Sequence, residues 1–241
     1  MADTYAPTPT FYPKPVHPKA AISFRHNILP PLLGVGMFVA ILGALNSQWI
    51  MAQAQYRFTN SNSQSTFVSS TFAPPVDSVA LGIPKINVNA PIVYDETSLN
   101  EGKVQLALRR GVVHYGNTAL PGQAGNMVVL GHSSGQAWAP GDYKFVFTML
   151  DKMEVGDRIT LDYKGTRYIY RVSEKRVVPP TDLTVVKHTD DPRLTLITCT
   201  PVGTNKNRLV ISAAQISPKP STATPISPED VPRITSQALP R

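Results

Sequence analysis

Leu194-Thr195-Leu196-Ile197-Thr198-Cys199-Thr200 is a run of apolar and β-branched residues that ends beside the only cysteine of the chain. Its composition predicts a strand with the sulfur at its terminus, where a substrate can approach. Nine residues after the cysteine, Arg208 lies near the start of a second such run, Asn207-Arg208-Leu209-Val210-Ile211. If the two runs pair through Pro201-Val202-Gly203-Thr204-Asn205, a thiol and a guanidinium can face one pocket.

Segments of the same kind lie upstream. Val79-Ala80-Leu81-Gly82-Ile83 and Ile86-Asn87-Val88-Asn89-Ala90-Pro91-Ile92-Val93 alternate with turn residues, and Asn126-Met127-Val128-Val129-Leu130 is a short apolar run closed by Gly131-His132. Asp157–Tyr163 and Thr166–Val172 flank Lys164-Gly165, a two-residue loop that predicts a hairpin. Only Leu99–Leu108 and Lys144–Leu150 suit short helices. Many short strands with turn signals predict an all-β domain over residues 78–216, either a closed barrel or a sandwich.

The flanks differ in composition. Residues 1–26 carry Pro7, Pro9, Pro13, Pro15 and Pro18 and cannot bury a core, so a disordered cytoplasmic tail is expected there. From His26 to Tyr56 there is no Asp, Glu, Lys or Arg. A membrane anchor is expected over 27–53, long enough for the roughly 20 residues that cross about 30 Å of hydrocarbon. Lys14, Lys19 and Arg25 precede it, which places the N-terminus in the cytoplasm and the following domain outside the cell. A cleaved signal peptide is the rival, since Ala52-Gln53-Ala54 has the form of a cleavage site. Against it, the apolar run ends early and the preceding tail is long. Residues 54–77, rich in Ser, Asn, Gln and Thr, read as an extracellular linker, and 217–241, with six prolines from Pro218 to Pro240, as a second disordered tail.

The 241 residues suit one sizeable domain with tails, and the formal charge of +7 suits nucleic acid, anionic lipid or an acidic wall polymer. Lys and Arg are scattered and no aromatic-plus-basic motif appears, so nucleic acid is not an expected partner. One cysteine cannot form an internal disulfide, and in an exported domain it suggests a reactive group. There is no Cys pair, no His-x-x-x-His and no dense carboxylate loop, so neither metal nor cofactor is expected.

A free thiol titrates near 8.5, so nucleophilic use needs a neighbouring base or cation. His17 and His26 precede or border the anchor. His188, beside Thr189-Asp190-Asp191, reads as a surface residue. His132, in Leu130-Gly131-His132-Ser133-Ser134-Gly135, is best placed, just past a buried strand. His114, in Gly111-Val112-Val113-His114-Tyr115-Gly116, is the second candidate for the same work and is also carried as a substrate-binding residue. Taken singly, each has a bland reading: a buried cysteine as a small hydrophobe, a strand arginine facing solvent, a histidine capping a turn.

The Thr195-Leu196-Ile197-Thr198-Cys199 string with Arg208 downstream resembles the Thr-Leu-x-Thr-Cys...Arg signature of sortases, membrane-anchored cysteine transpeptidases of Gram-positive-type bacteria. Leu81–Ile92 resembles the family's opening strands, and Gly111–Tyr115, Thr118–Gly122 and Gly125–His132 resemble the segment that delivers its histidine. The resemblance covers residues 78–216. It implies an eight-stranded β-barrel with the site at one end, Cys199 as nucleophile, His132 as general acid/base, Arg208 holding substrate and stabilising the oxyanion, and Thr198 lining the substrate groove. The implied donor is a surface protein with a Leu-Pro-x-Thr-Gly-like signal, and the acceptor a peptidoglycan or pilin amine. Pilin-polymerising members commonly carry an N-terminal Asp-Pro-aromatic lid, which residues 57–77 do not contain, and wall anchoring is therefore favoured. A secreted cysteine peptidase and a non-catalytic anchored binding domain are the rivals from other classes.

Overall fold

Lys164 (φ 48°) and Gly165 (φ 74°) both adopt the left-handed region. A type I′ turn requires that geometry, and it matches the twist of the strands it joins. In the computed structural model, which describes residues 29–45, 50, 53–54, 79–94, 100–116, 118–135, 140–220 and 239–240, this turn links β5 (Arg158–Tyr163) to β6 (Thr166–Val178). Asp162 lies opposite Arg167 in the pair. Their side chains form a two-pronged ion pair, Nε to Oδ1 at 2.7 Å and Nη2 to Oδ2 at 2.6 Å, which fixes the register as well as adding energy.

The other strands are β1 (Ala80–Ile83), β2 (Val88–Val93), β3 (Val112–His114), β4 (Asn126–Leu130), β7 (Arg193–Thr200) and β8 (Asn207–Ser217). They close in the order β1-β2-β3-β4-β7-β8-β6-β5, with β5 paired back onto β1. The eight-stranded closed barrel is thus the architecture expected, and the sandwich is excluded. Two neighbour pairs are parallel, β2 with β3 and β4 with β7. The second matters for function, because β4 and β7 end at the same rim.

Alternation of side chains divides the core into two layers. Met127, Val129, Leu194, Leu196, Leu209 and Ile211 point into the barrel with Leu81, Ile83, Ile159 and Leu161. Val128, Leu130, Ile197 and Val210 point outward, where helix α2 (Glu101–Leu108) covers them with Val104, Ala107 and Leu108. This double burial explains why β4 reads as an unbroken apolar run rather than an alternating one. The helix starts where Asn100 accepts a hydrogen bond from Lys103 N at 3.3 Å, an N-cap that satisfies one of its free donors. Asn126 holds the outer layer to the barrel: its Nδ2 donates to Val185 O at 3.0 Å and Lys187 O at 3.1 Å, and its Oδ1 accepts from Thr195 Oγ1 at 2.7 Å.

Contacts divide the chain into two units, Met1–Ala44 and Leu45–Arg241. Helix α1 (Leu29–Leu45) has 17 residues and is apolar throughout, with Leu33, Met37 and Phe38 exposed. At 1.5 Å per residue it reaches about 26 Å, short of the roughly 30 Å expected of an anchor over 27–53. No described helix is long and apolar enough to cross a membrane, so the spanning helix expected over 27–53 is not shown. The tail expected over 1–26 and all but Ala54 of the linker expected over 54–77 lie outside the described residues, as do 221–238 of the second tail. Leu239 and Pro240, from the part expected to be disordered, are packed against the barrel unit. Lys144–Leu150 forms turns, with a single 3-10 turn at Leu150–Lys152, in place of a helix.

Candidate active site

Strands β7 and β8 pair so that Cys199 lies directly opposite Arg208. Directly opposed residues in a sheet project from the same face, so the register alone brings sulfur and guanidinium together. The histidine arrives by a different route. β4 stops at Leu130, and its ladder with β7 is carried one step further by Gly131 N–H, which donates to Ile197 O at 3.2 Å. Thr198 Oγ1 donates to Gly131 O at 2.7 Å, and Phe147 N–H donates to His132 O at 2.9 Å. Three hydrogen bonds therefore set the backbone that carries His132. Gly131 has to be glycine: a Cβ there would stand 2.3 Å from the Phe147 ring.

His132 and Cys199 line one open cavity of about 610 Å³, together with Glu101 and Gln105 of α2, Ser133, Ser134 and Gly203–Asn205. The rim loop is tied to the histidine segment by Gly203 N–H, which donates to Ser134 Oγ at 3.0 Å. Among the described residues no group hydrogen-bonds the His132 ring, which leaves it available to a ligand. Arg208 is 1% exposed, and its partners among the described residues are four main-chain carbonyls. Nη1 donates to Asn205 O at 3.0 Å and Asn207 O at 3.1 Å, Nε to Pro240 O at 2.9 Å and Nη2 to Leu239 O at 3.2 Å. Cys199, Thr198, Arg208 and Pro240 together border a narrow crevice beside the cavity.

Burial pushes the Cys199 thiol above its ordinary range; Arg208 offsets part of this, and the Glu101 charge adds to it. Burial likewise lowers His132, with Glu101 opposing. Both shifts favour the neutral forms, thiol and imidazole, because a charged form of either is poorly solvated here. From this state an attacking thiol can pass its proton to the imidazole. The imidazolium so formed can protonate a leaving amine.

Thr198 is buried, and its hydroxyl is spent on Gly131 O, so its contribution is to join β7 to the histidine segment as well as to wall the crevice. His114 lies elsewhere. It is 4% exposed, its Nε2 lies 3.0 Å from Thr118 O and 3.1 Å from Ala119 O, and its ring packs tilted against Tyr94 with centroids 5.1 Å apart. Two carbonyl acceptors require Nε2 to carry the proton. The ring is thus an internal brace, it is not among the residues lining the cavity, and the substrate-binding role expected of it does not fit this placement.

Of the cavity residues that escaped sequence reading, Glu101 and Ser133 bear most on the chemistry. Glu101 read only as the start of a helix. Ser133 is 2% exposed and its Oγ has no hydrogen-bond partner among the described residues, a buried donor facing the site. Neither had a local signal beyond adjacency to His132 or to the helix cap. Among the described residues no three His, Cys, Asp or Glu side chains gather as metal ligands.

A family model described as the sortase domain matches residues 81–216, more than half of the chain. Sortase SrtE1 of Streptomyces coelicolor is 25% identical over 225 residues, covering 84% of this chain and 60% of that protein. Sortase D of Bacillus subtilis is 28% identical over 142 residues, covering 57% of this chain and 63% of that one. The chain thus spans about three fifths of the length of these curated relatives. Among solved structures, Streptococcus pneumoniae sortase C is 27% identical, covering 58% of this chain and 68% of that one with a TM-score of 0.49. With its cysteine, histidine and arginine gathered at one end of a closed barrel and the domain model matched across all eight strands but for the first and last residues, this chain belongs to the sortase family.

Proposed function

We propose that the chain is a cysteine transpeptidase that cleaves a Leu-Pro-x-Thr-Gly-like signal of surface proteins and transfers the acyl group to a cell-wall amine. The observation that carries the reading is the convergence of Cys199 and His132 on one cavity, with Arg208 as the cross-strand neighbour of the cysteine. In this mechanism the Cys199 sulfur adds to the peptide carbonyl as its proton passes to His132. Arg208, permanently cationic, stabilises negative charge developing nearby. The tetrahedral intermediate collapses to a thioester, and the imidazolium gives its proton to the departing amine. An incoming amine then attacks the thioester, losing its proton to His132, and the thiol is regenerated with a new amide bond.

A fluorogenic Leu-Pro-x-Thr-Gly peptide, incubated with and without triglycine, tests the reading. Amine-dependent formation of the triglycine adduct is expected. Cleavage at the same rate with only the hydrolysed acid as product would make the chain a peptidase, and binding without turnover would make it a recognition domain.

The same proposal places the barrel outside the cell, held by the apolar segment around α1. The charge-free stretch from His26 to Tyr56 and the basic residues ahead of it support this. The full chain should stay in the membrane pellet after an alkaline carbonate wash; release to the supernatant would refute the anchor.

A further inference from the structure

Leu239 and Pro240 are distant in sequence from β8, which ends at Ser217, yet they lie against the strands that carry Cys199 and Arg208. Leu239 is 3% exposed and belongs to the outer core layer with Leu108, Leu130, Ile197 and Val210. Its N–H donates to Pro180 O at 2.7 Å, and its carbonyl accepts from Arg208 Nη2 at 3.2 Å. The Pro240 carbonyl accepts from Arg208 Nε at 2.9 Å. Proline has no N–H, so every main-chain polar group of these two residues is bonded. A segment resting casually on a surface would leave some of those groups to water.

The arrangement is that of a short peptide in a receptor groove. An apolar side chain is sunk in a pocket, the next residue needs no donor partner, and one guanidinium reads both carbonyls. The crevice bordered by Pro240 leads to Cys199. We infer that Leu239-Pro240 is a tethered occupant of the groove that receives the donor peptide, so that the segment covers the Arg208 side of Cys199 until an incoming peptide displaces it, while the other side stays open to the cavity. The inference rests on the transpeptidase reading for the identity of the displacing ligand, whose proposed signal opens with the same Leu-Pro order. It also explains why Arg208 Nε and Nη2 are engaged by the segment's carbonyls. A tethered ligand competes at an effective concentration set by its linker, so it raises the apparent KM for a free donor and leaves kcat unchanged.

The full chain is compared with its Leu239→Ser and Leu239→Ser/Pro240→Ser variants, each first shown by thermal unfolding to be folded. Alkylation of Cys199 by iodoacetamide should be at least tenfold faster in the variants, and KM for the sorting peptide at least tenfold lower at equal kcat. Adding the free hexapeptide Ser-Gln-Ala-Leu-Pro-Arg, the sequence of residues 236–241, should slow alkylation of the variants again, a rescue that lost packing could not produce. Equal alkylation rates in folded variants, or no protection by the hexapeptide, would overturn the inference. Hydrogen exchange on the unmodified chain needs no variant: the Leu239 amide should exchange at least tenfold more slowly than in the hexapeptide, and exchange at the free rate would also overturn it. These readouts do not need turnover. Faster alkylation in a variant that processes no sorting peptide would end the transpeptidase reading and leave the tethered occupant standing.

Discussion

Two stretches of this barrel look alike in sequence and differ in use. Val112-Val113-His114-Tyr115 and Val129-Leu130-Gly131-His132 each place a histidine after buried apolar residues in a glycine-flanked setting. His114 is the last paired residue of β3, opposite Val129, and carbonyls of the following turn claim its ring. His132 lies two residues past the end of β4, is held only through its backbone, and turns its ring to the cavity of Cys199. A histidine becomes available for proton transfer where strand pairing has stopped and no carbonyl occupies the ring.

A large expected effect separates the two directly. His132→Ala should lower kcat/KM for transfer by about 10²–10⁴-fold, the range for loss of a general acid/base, while His114→Ala should stay within several-fold and unfold at lower temperature. Equal losses in folded proteins would break the distinction. Cys199→Ala, in the same assay, should give no thioester and no product. A smaller effect sharpens how His132 is held. Thr198→Val removes the hydroxyl that holds Gly131 O, and a displaced catalytic group is costly, so kcat should fall about tenfold. Thr198→Ser should restore it, because only the hydroxyl is needed; failure of that rescue would move the role to the methyl group.

Electrostatics supplies a subtler test. Glu101 raises both the Cys199 and the His132 pKa, so Glu101→Gln should shift both limbs of the pH–rate profile to lower pH. The acid limb reports the pair's lower pKa and the alkaline limb its higher one. Movement of the limbs in opposite directions would show that Glu101 does not act through its charge. The smallest effect concerns stability. Burial lowers the His114 pKa below 6.5 despite the opposing carbonyls. The unfolded chain therefore binds a proton as pH falls through about 6.5 while the folded one does not, and stability is lost below that pH, down to the folded pKa. His114→Gln, which can still donate to a carbonyl, should flatten that loss in a thermal-unfolding series at pH 5–7, by up to about 1.4 kcal/mol per pH unit. An unchanged slope would assign the acid sensitivity to other groups.

Much of this was readable before any coordinates. The Lys164-Gly165 hairpin was legible because Gly165 suits a left-handed turn position between two strand-like runs, and the Cys199 strand because β-branched residues crowd its length. The second half of β6 was not. Ser173-Glu174-Lys175-Arg176 shows no apolar alternation, and it is strand because β8 pairs with it through two register shifts, a non-local cause. Arg208 read equally well as solvent-facing, since nothing nearby in sequence announces the carbonyls that enclose it. Ser133 and Glu101 become site residues only once β4 and α2 are placed on the same rim. Leu239 and Pro240 were hidden by composition: a proline-rich stretch does not reveal that two of its residues dock.

The closure of the barrel by β5 on β1 has a consequence for recognition. Many proteins capture an extended peptide by letting it join an open sheet edge, where the main chain supplies affinity for almost any sequence. A ring of strands leaves only short lengths of such edge, as in the second half of β6, which pairs with β8 alone, so side-chain pockets and the few donors at the rim carry most of the selection. Under the proposed function, discrimination would rest on the donor's side chains more than on its backbone shape.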